Sequence, residues 1–179
     1  MRGKKKRILN VGCGSDMYGT DFLDLYPTRP EVKRCDFDRQ KFPYPNNAFD
    51  EVIAKNTIEH LTNLGHFFSE CFRVLKTGGR LIIHTDNANY WGYSVGKTHL
   101  GGYERLHCNR EDRHYSLFTM WHLQNQMRKA GFGVTSGEYI TVSGTWPKKI
   151  IKVMMNKLLR LTPLWRMSYA GIRIVGMKK

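Results

Sequence analysis

The stretch Ile8–Tyr26, ILNVGCGSDMYGTDFLDLY, limits the fold more than any other part of the chain. One apolar run ends in a glycine turn, and a second run, ending in Asp24, follows almost at once. Gly12 and Gly14 let the backbone pass close to a ligand at the carboxyl end of the first strand. Only Ser15–Leu23 separates Gly14 from Asp24. A full helix with its turns needs more chain than that, and Gly19 inside the gap weakens a helix further. A loop or a single turn is expected there instead.

Beyond this stretch, strand patterns alternate with helical ones. RILNVG, DFLDLY, VKRCDF, FDEVIAKN and RLIIHT read as five strands. VTSGEYITVSG and GIRIVGMKK read as a late pair, expected to be antiparallel. TIEHLTNLGHFFSECFRVLK, with Leu64, Phe67, Phe68, Cys71, Phe72 and Leu75 at helical spacing, predicts one helix that His60 would help to start. Thr119–Ala130 predicts another, ended by Gly131. The expected fold is α/β: a doubly wound, Rossmann-like seven-strand sheet. It should be mostly parallel with an antiparallel C-terminal strand, and its first helix shortened or absent.

Two segments stand outside this core. Residues 88–116 are rich in glycine, aromatic residues and histidine without a period, which suits a substrate lid. Residues 147–163 form a basic amphipathic helix: Ile150, Ile151, Met154, Met155, Leu158 and Leu161 fall on one side. Lys148, Lys149, Lys152, Lys157 and Arg160 fall mainly on the other. The expected arrangement packs the apolar side on the sheet and leaves the lysines in water.

The net charge of +14 is confined to the two ends. Five basic residues lie in Arg2–Arg7 and nine from Lys148 to Lys179, where there is no Asp or Glu. Such ends attract anions, which leaves RNA or an anionic membrane surface open as partners. Four cysteines without CxxC spacing suit reduced thiols, and no signal-peptide pattern precedes the first strand. A cytoplasmic protein, peripheral to a membrane at most, is the expectation.

Asp24 ends the second strand, where a carboxylate can accept hydrogen bonds from ribose hydroxyls. Asp36-Phe37 follows the third strand and offers an acceptor and an apolar wall to a flat base. AKNTIEHL would close the far side of the crevice. The third glycine of GxGxxG is missing, because Ser15, Asp16 and Met17 follow Gly14. That disfavours a dinucleotide, which needs a pyrophosphate cradle.

ILNVGCGS, FLDLYP, CDFDRQKFPYPNNAFDEVIAKNTIEHL and RVLKTGGRLII together resemble the small class I S-adenosylmethionine-dependent methyltransferases, over roughly residues 7–86. The resemblance implies a single methyltransferase domain over 1–179 with S-adenosyl-L-methionine as cofactor. It implies Gly12, Cys13 and Gly14 at the methionine moiety, Asp24 at the ribose, and Asp36 and Phe37 beside adenine. It places Asn56, with Ile58 and His60, in the pocket after the fourth strand. The family often has Asp or Glu where Asn10 stands, so a weaker hold on the cofactor's amino group is expected. The short path to Asp24 suits a compact branch, its cofactor exposed on that side unless the lid or MRGKKKR covers it.

The tetrapeptide after the fourth strand is NTIE, not the NPPY or DPPY of amine methylation. Cys71 lies in a predicted helix and Cys108 lacks a preceding proline, which argues against a cysteine nucleophile. Asp86-Asn87 resembles part of a magnesium site, but Lys55 falls near its missing partner. His99, His107, Cys108 and His114 match no structural zinc spacing, so no metal is expected. His60 and His114 are the candidate bases, with Tyr90, Trp91, His107 and Tyr115 facing the acceptor and Tyr93 and Tyr103 as further walls. The favoured acceptor is a small molecule or glycan-like group methylated on oxygen. The alternatives are an RNA methyltransferase using its basic ends and a non-catalytic, cofactor-binding or membrane-surface interaction protein.

Overall fold

The computed structural model describes residues 6–91, 102–103, 112–141 and 148–179. Seven strands form one sheet: β1 (Ile8–Val11), β2 (Asp21–Asp24), β3 (Val32–Arg34), β4 (Phe49–Lys55), β5 (Leu75–Asp86), β8 (Phe132–Ile140) and β9 (Gly171–Lys178). Their order is β3-β2-β1-β4-β5-β9-β8. The first five run parallel; β9 lies antiparallel to β5, and β8 antiparallel to β9. Two short strands, β6 (Gly102–Tyr103) and β7 (Asp112–Arg113), pair apart from the main sheet. The chain order reverses between β1 and β4, so a crevice opens at their carboxyl ends.

No helix joins β1 to β2, as the short spacing predicts. Polar side chains hold this connection together. Asn10 Nδ2 donates to the Tyr18 carbonyl at 3.0 Å, and Tyr18 Oη to Glu51 Oε1 at 2.8 Å. Lys55 Nζ pairs with Asp16 Oδ2 at 2.8 Å, and Thr20 N donates to the Ile8 carbonyl at 2.8 Å. Burial would raise the Glu51 carboxyl, but Lys6, Tyr18 and Arg80 outweigh it and hold it below the usual range.

The next long connection differs from the expected single helix. A 3-10 turn at Ile58–His60 is followed by a break, and only then by helix α1 (Leu64–Val74). His60 therefore closes a short turn and does not start the helix. The cause is Asp38, whose Oδ1 accepts from Asn63 N at 2.8 Å and whose Oδ2 accepts from the Thr62 hydroxyl at 2.7 Å. Asn63 then caps α1, its Oδ1 accepting from His66 N at 3.2 Å. Helix α1 buries Phe67, Phe68, Cys71 and Val74, the one-face pattern its sequence carries. Leu75 opens β5 directly after the helix, earlier than the RLIIHT run suggests. Helix α2 (Met120–Lys129) packs Met120, Leu123 and Met127 into the same core, with Thr119 as its cap.

Helix α3 (Lys148–Arg160) forms within 147–163, but the described part of its apolar side is turned outward rather than packed on the sheet. Met154, Leu158 and Leu161 are exposed. Lys6 and Arg7, the described residues of the basic N-terminus, lie away from the suggested cofactor cover. Arg7 grips Asp21 through Nε and Nη2 at 3.1 and 2.7 Å, and Lys6 reaches Glu51. Both sit at the amino end of β1, opposite the crevice.

Candidate active site

A cavity of about 460 Å³ opens at the carboxyl ends of β1 to β4, within the usual range for a ligand site. Its lining includes Gly12, Gly14, Asp24, Asp36, Phe37, Asn56 and His60, seven of the residues that the sequence singled out. Tyr115, from the end of the expected lid, joins them.

Each position has a local cause. Gly12 has φ +68°, and a Cβ there would overlap the Thr57 hydroxyl. Thr57 is itself fixed, its Oγ1 donating to the Val11 and Lys55 carbonyls at 3.2 and 3.0 Å. Only glycine passes this point without strain. Gly14 N donates to Asp24 Oδ2 at 2.8 Å, and Tyr26 N to Asp24 Oδ1 at 2.8 Å. The turn thus orients the carboxylate that ends β2. Asn56 adopts φ +46°, a left-handed conformation that asparagine tolerates, and donates from its N–H to the His84 carbonyl at 2.9 Å. Phe37 is mostly buried, its ring edge-on to Phe42 and Phe67, so it offers the cavity a margin and not a full face.

Two residues expected at the cofactor lie outside the lining. Asn10 is buried and spends its amide on the Tyr18 carbonyl. Cys13 is buried, and burial pushes its thiol up to about 11. Burial likewise raises Cys35 to about 11 and Cys71 well above its ordinary value, so none of these three is a ready nucleophile.

At the cavity rim, His60 Nδ1 lies 3.1 Å from the Arg113 carbonyl, which can only accept. That nitrogen therefore carries the proton in the neutral ring, and Nε2 holds the lone pair. The His114 ring meets His60 edge-on with centroids 4.8 Å apart, and its Nδ1 lies 3.7 Å from Asp86 Oδ2. The adjacent Glu59 is buried, and desolvation pushes its carboxyl up to about 7 although Thr85 donates to it at 2.9 Å. The Glu59 carbonyl accepts from Tyr115 N and Ser116 N at 2.7 and 3.1 Å, which ties this backbone to the turn. Donor atoms of Glu59, His60 and His114 lie within 4.8 Å of one another, so this trio has the chemistry to hold a cation.

The remaining expected residues separate. Tyr90 is buried beside Trp91, whose Nε1 donates to Asn156 of α3 at 2.7 Å, so both turn toward that helix. His99, His107, Cys108 and Tyr93 lie outside the described residues. Asn87 is buried and donates to the Arg166 and Tyr169 carbonyls at 3.1 and 2.8 Å, while Lys55 is paired with Asp16. The magnesium lookalike is thus committed to structure. Sequence reasoning missed Thr57, Asp38, Glu59 and Arg113. A charged residue between apolar Ile58 and His60 was the available signal for Glu59; nothing marked the other three.

The sequence pattern of the methyltransferase domain matches residues 2–136. This chain belongs to that family. It is 26% identical over 109 residues to a ubiquinone biosynthesis O-methyltransferase of Bradyrhizobium, covering 50% of this chain and 43% of that one. It is 27% identical over 115 residues to the mitochondrial ubiquinone biosynthesis O-methyltransferase of Rattus norvegicus, covering 50% of this chain and 33% of that one. The matches therefore span less than half the length of either relative. The structure of an S-adenosylmethionine-dependent methyltransferase from Archaeoglobus fulgidus superposes with a TM-score of 0.63 at 14% identity, covering 97% of this chain and 86% of that one. The family implies S-adenosyl-L-methionine as cofactor. The lining suits it: a glycine turn with no room for a Cβ at Gly12, an oriented carboxylate at the end of β2 and a second acidic residue after β3.

Proposed function

We propose that this methyltransferase domain transfers a methyl group from S-adenosyl-L-methionine to an oxygen of a small-molecule or glycan-like acceptor. The reading rests on one observation above the others: His60 stands at the cavity rim with Nδ1 engaged by the Arg113 carbonyl, which directs the lone pair to Nε2. In this reading Gly12 and Gly14 flank the methionine moiety, Asp24 holds the ribose, Asp36 and Phe37 flank adenine, and Asn56 closes the far wall. The cofactor supplies a methyl on a sulfonium; its carbon–sulfur bond breaks as the carbon–oxygen bond forms. His60 Nε2 takes the hydroxyl proton, and His114, held near Asp86, stands next to the resulting imidazolium. Tyr115 walls the acceptor side. The O-methyltransferase relatives support oxygen over nitrogen, as does the sequence NTIE after β4.

The test is a methyl-transfer screen with labelled cofactor against phenols, glycans, lipids and RNA. His60→Gln should lower kcat by about 10²–10⁴-fold, the usual contribution of a positioned base. The same variant should keep the rise in melting temperature that the cofactor gives to the native state. Full activity in that variant would remove the proposed base. No thermal shift with S-adenosyl-L-methionine or its demethylated product would remove the cofactor assignment.

A further inference from the structure

Helix α3 and the turn after it expose a row of apolar side chains. Met154 is 65% exposed, Leu158 59%, Leu161 86% and Leu164 56%. At 100° per residue, Met154, Leu158 and Leu161 share an arc of about 60°. The opposite side faces the protein: Asn156 accepts from Trp91, and the Arg160 guanidinium lies 4.6 Å from the Tyr169 ring. Among its described side chains, Asn156 and Arg160 hold the helix by polar and cation–π contacts, while Met154, Leu158 and Leu161 face water. An amphipathic helix that stabilised the core would show the reverse.

Charge narrows the choice of partner. From Lys148 to Lys179 there are nine basic residues and no acidic one. A second copy of this chain would bring a like charge against this face. RNA would use the lysines and leave the leucines in water. An anionic bilayer interface uses both, burying apolar side chains at the acyl boundary and attracting the basic ones.

From this combination we infer that α3 docks the protein on the surface of an anionic lipid bilayer. No helix among the described residues is long and apolar enough to cross a membrane, so the contact is peripheral. The helix also sits at the cavity's end of the sheet. Its neighbouring turn, Trp165–Ser168, is tied by the Arg166 carbonyl to Asn87, directly after β5. Docking would hold the cavity's end of the sheet toward the membrane. None of this depends on which atom is methylated.

The test is co-sedimentation of the full chain with vesicles of phosphatidylcholine alone or with about one-third phosphatidylserine. Binding should require the anionic lipid. Leu158→Ser with Leu161→Ser should weaken it at least about tenfold, as expected from loss of apolar burial. Lys152→Glu with Lys157→Glu should weaken it about fivefold or more per charge. Both pairs should keep the parent melting temperature and its shift with S-adenosyl-L-methionine; if one pair fails to fold, the other decides. Absence of vesicle binding overturns the proposal, as does equal binding to neutral vesicles or binding that both variants retain. Association with RNA or a second copy while vesicles are ignored also overturns it.

Discussion

β1 and β2 are joined across nine residues, Gly12–Thr20, with no helix, whereas β4 and β5 are joined through a 3-10 turn and the eleven-residue helix α1. Both connections link parallel strands on the same crevice. The second is held by apolar packing: Phe67, Phe68, Cys71 and Val74 of α1 are buried. The first has too few residues to bury a helix face, and uses Asn10, Tyr18, Thr20 and Lys55 as polar ties. A parallel connection needs its backbone groups satisfied and its path fixed, and a helix is only one way to do this. The two modes should fail differently, because apolar burial is worth more per residue than a single net hydrogen bond.

The largest effect is expected in the helical connection. Phe67→Ala should cost about 3–5 kcal/mol, read as a lower urea midpoint at unchanged slope. A loss under about 1 kcal/mol would mean that the site collapses and that α1 is not the anchor described. Gly12→Ala should cost about 3 kcal/mol, since it strains a left-handed residue and crowds Thr57. It should also remove the melting shift given by S-adenosyl-L-methionine; a retained shift would detach the turn from the cofactor site.

Glu59 gives a pH-dependent contrast within the helical connection. Its folded value is raised from 4.5 to about 7 by burial. The folded state therefore binds the proton more tightly than the unfolded chain. The associated stability is fully present below pH 4.5 and is lost as pH rises through about 7. Glu59→Gln should match the parent near pH 4.5 and exceed it by about 3 kcal/mol near pH 8.5. Parallel melting curves across that range would show that the carboxyl is not held protonated. The smallest effect belongs to the helix-free connection. Tyr18→Phe should cost about 1 kcal/mol, because Lys6 and Arg80 still satisfy Glu51. A loss near that of Phe67→Ala would mean that the polar ties act as one cooperative unit.

What the sequence revealed follows the same division. Strand runs such as ILNV and RLII, and the period of Phe67, Phe68 and Cys71, are local patterns, and they announce the sheet and α1 directly. The missing first helix is legible too, because chain length alone forbids it. The break at Leu61–Asn63 is not legible, since it depends on Asp38, which lies 24 residues before Thr62 and reaches it only in three dimensions. Asp24, Asp36 and Asn56 could be assigned to the cavity because the ends of parallel strands converge by topology. Asn10 could not be excluded the same way: its backbone lies in β1, but its side chain turns to a loop whose path no pattern records. The outward apolar row of α3 was hidden for a related reason. Amphipathicity shows that a helix has two sides, not which of them the rest of the chain will cover.

The two margins of the sheet differ as well. β3 has three residues and ends in Lys33 and Arg34. β8 has nine, with the register shifting between Val134 and Ser136 against β9 and an exposed stretch from Thr135 to Glu138. A long, flat, unpaired strand invites other chains to add to it; a bulge twists that ladder out of register, and charge makes a short one a poor template. Each margin thus carries its own guard against runaway strand addition. Removing Thr135 to straighten β8 would put the cost into aggregation during folding and storage, leaving the crevice untouched.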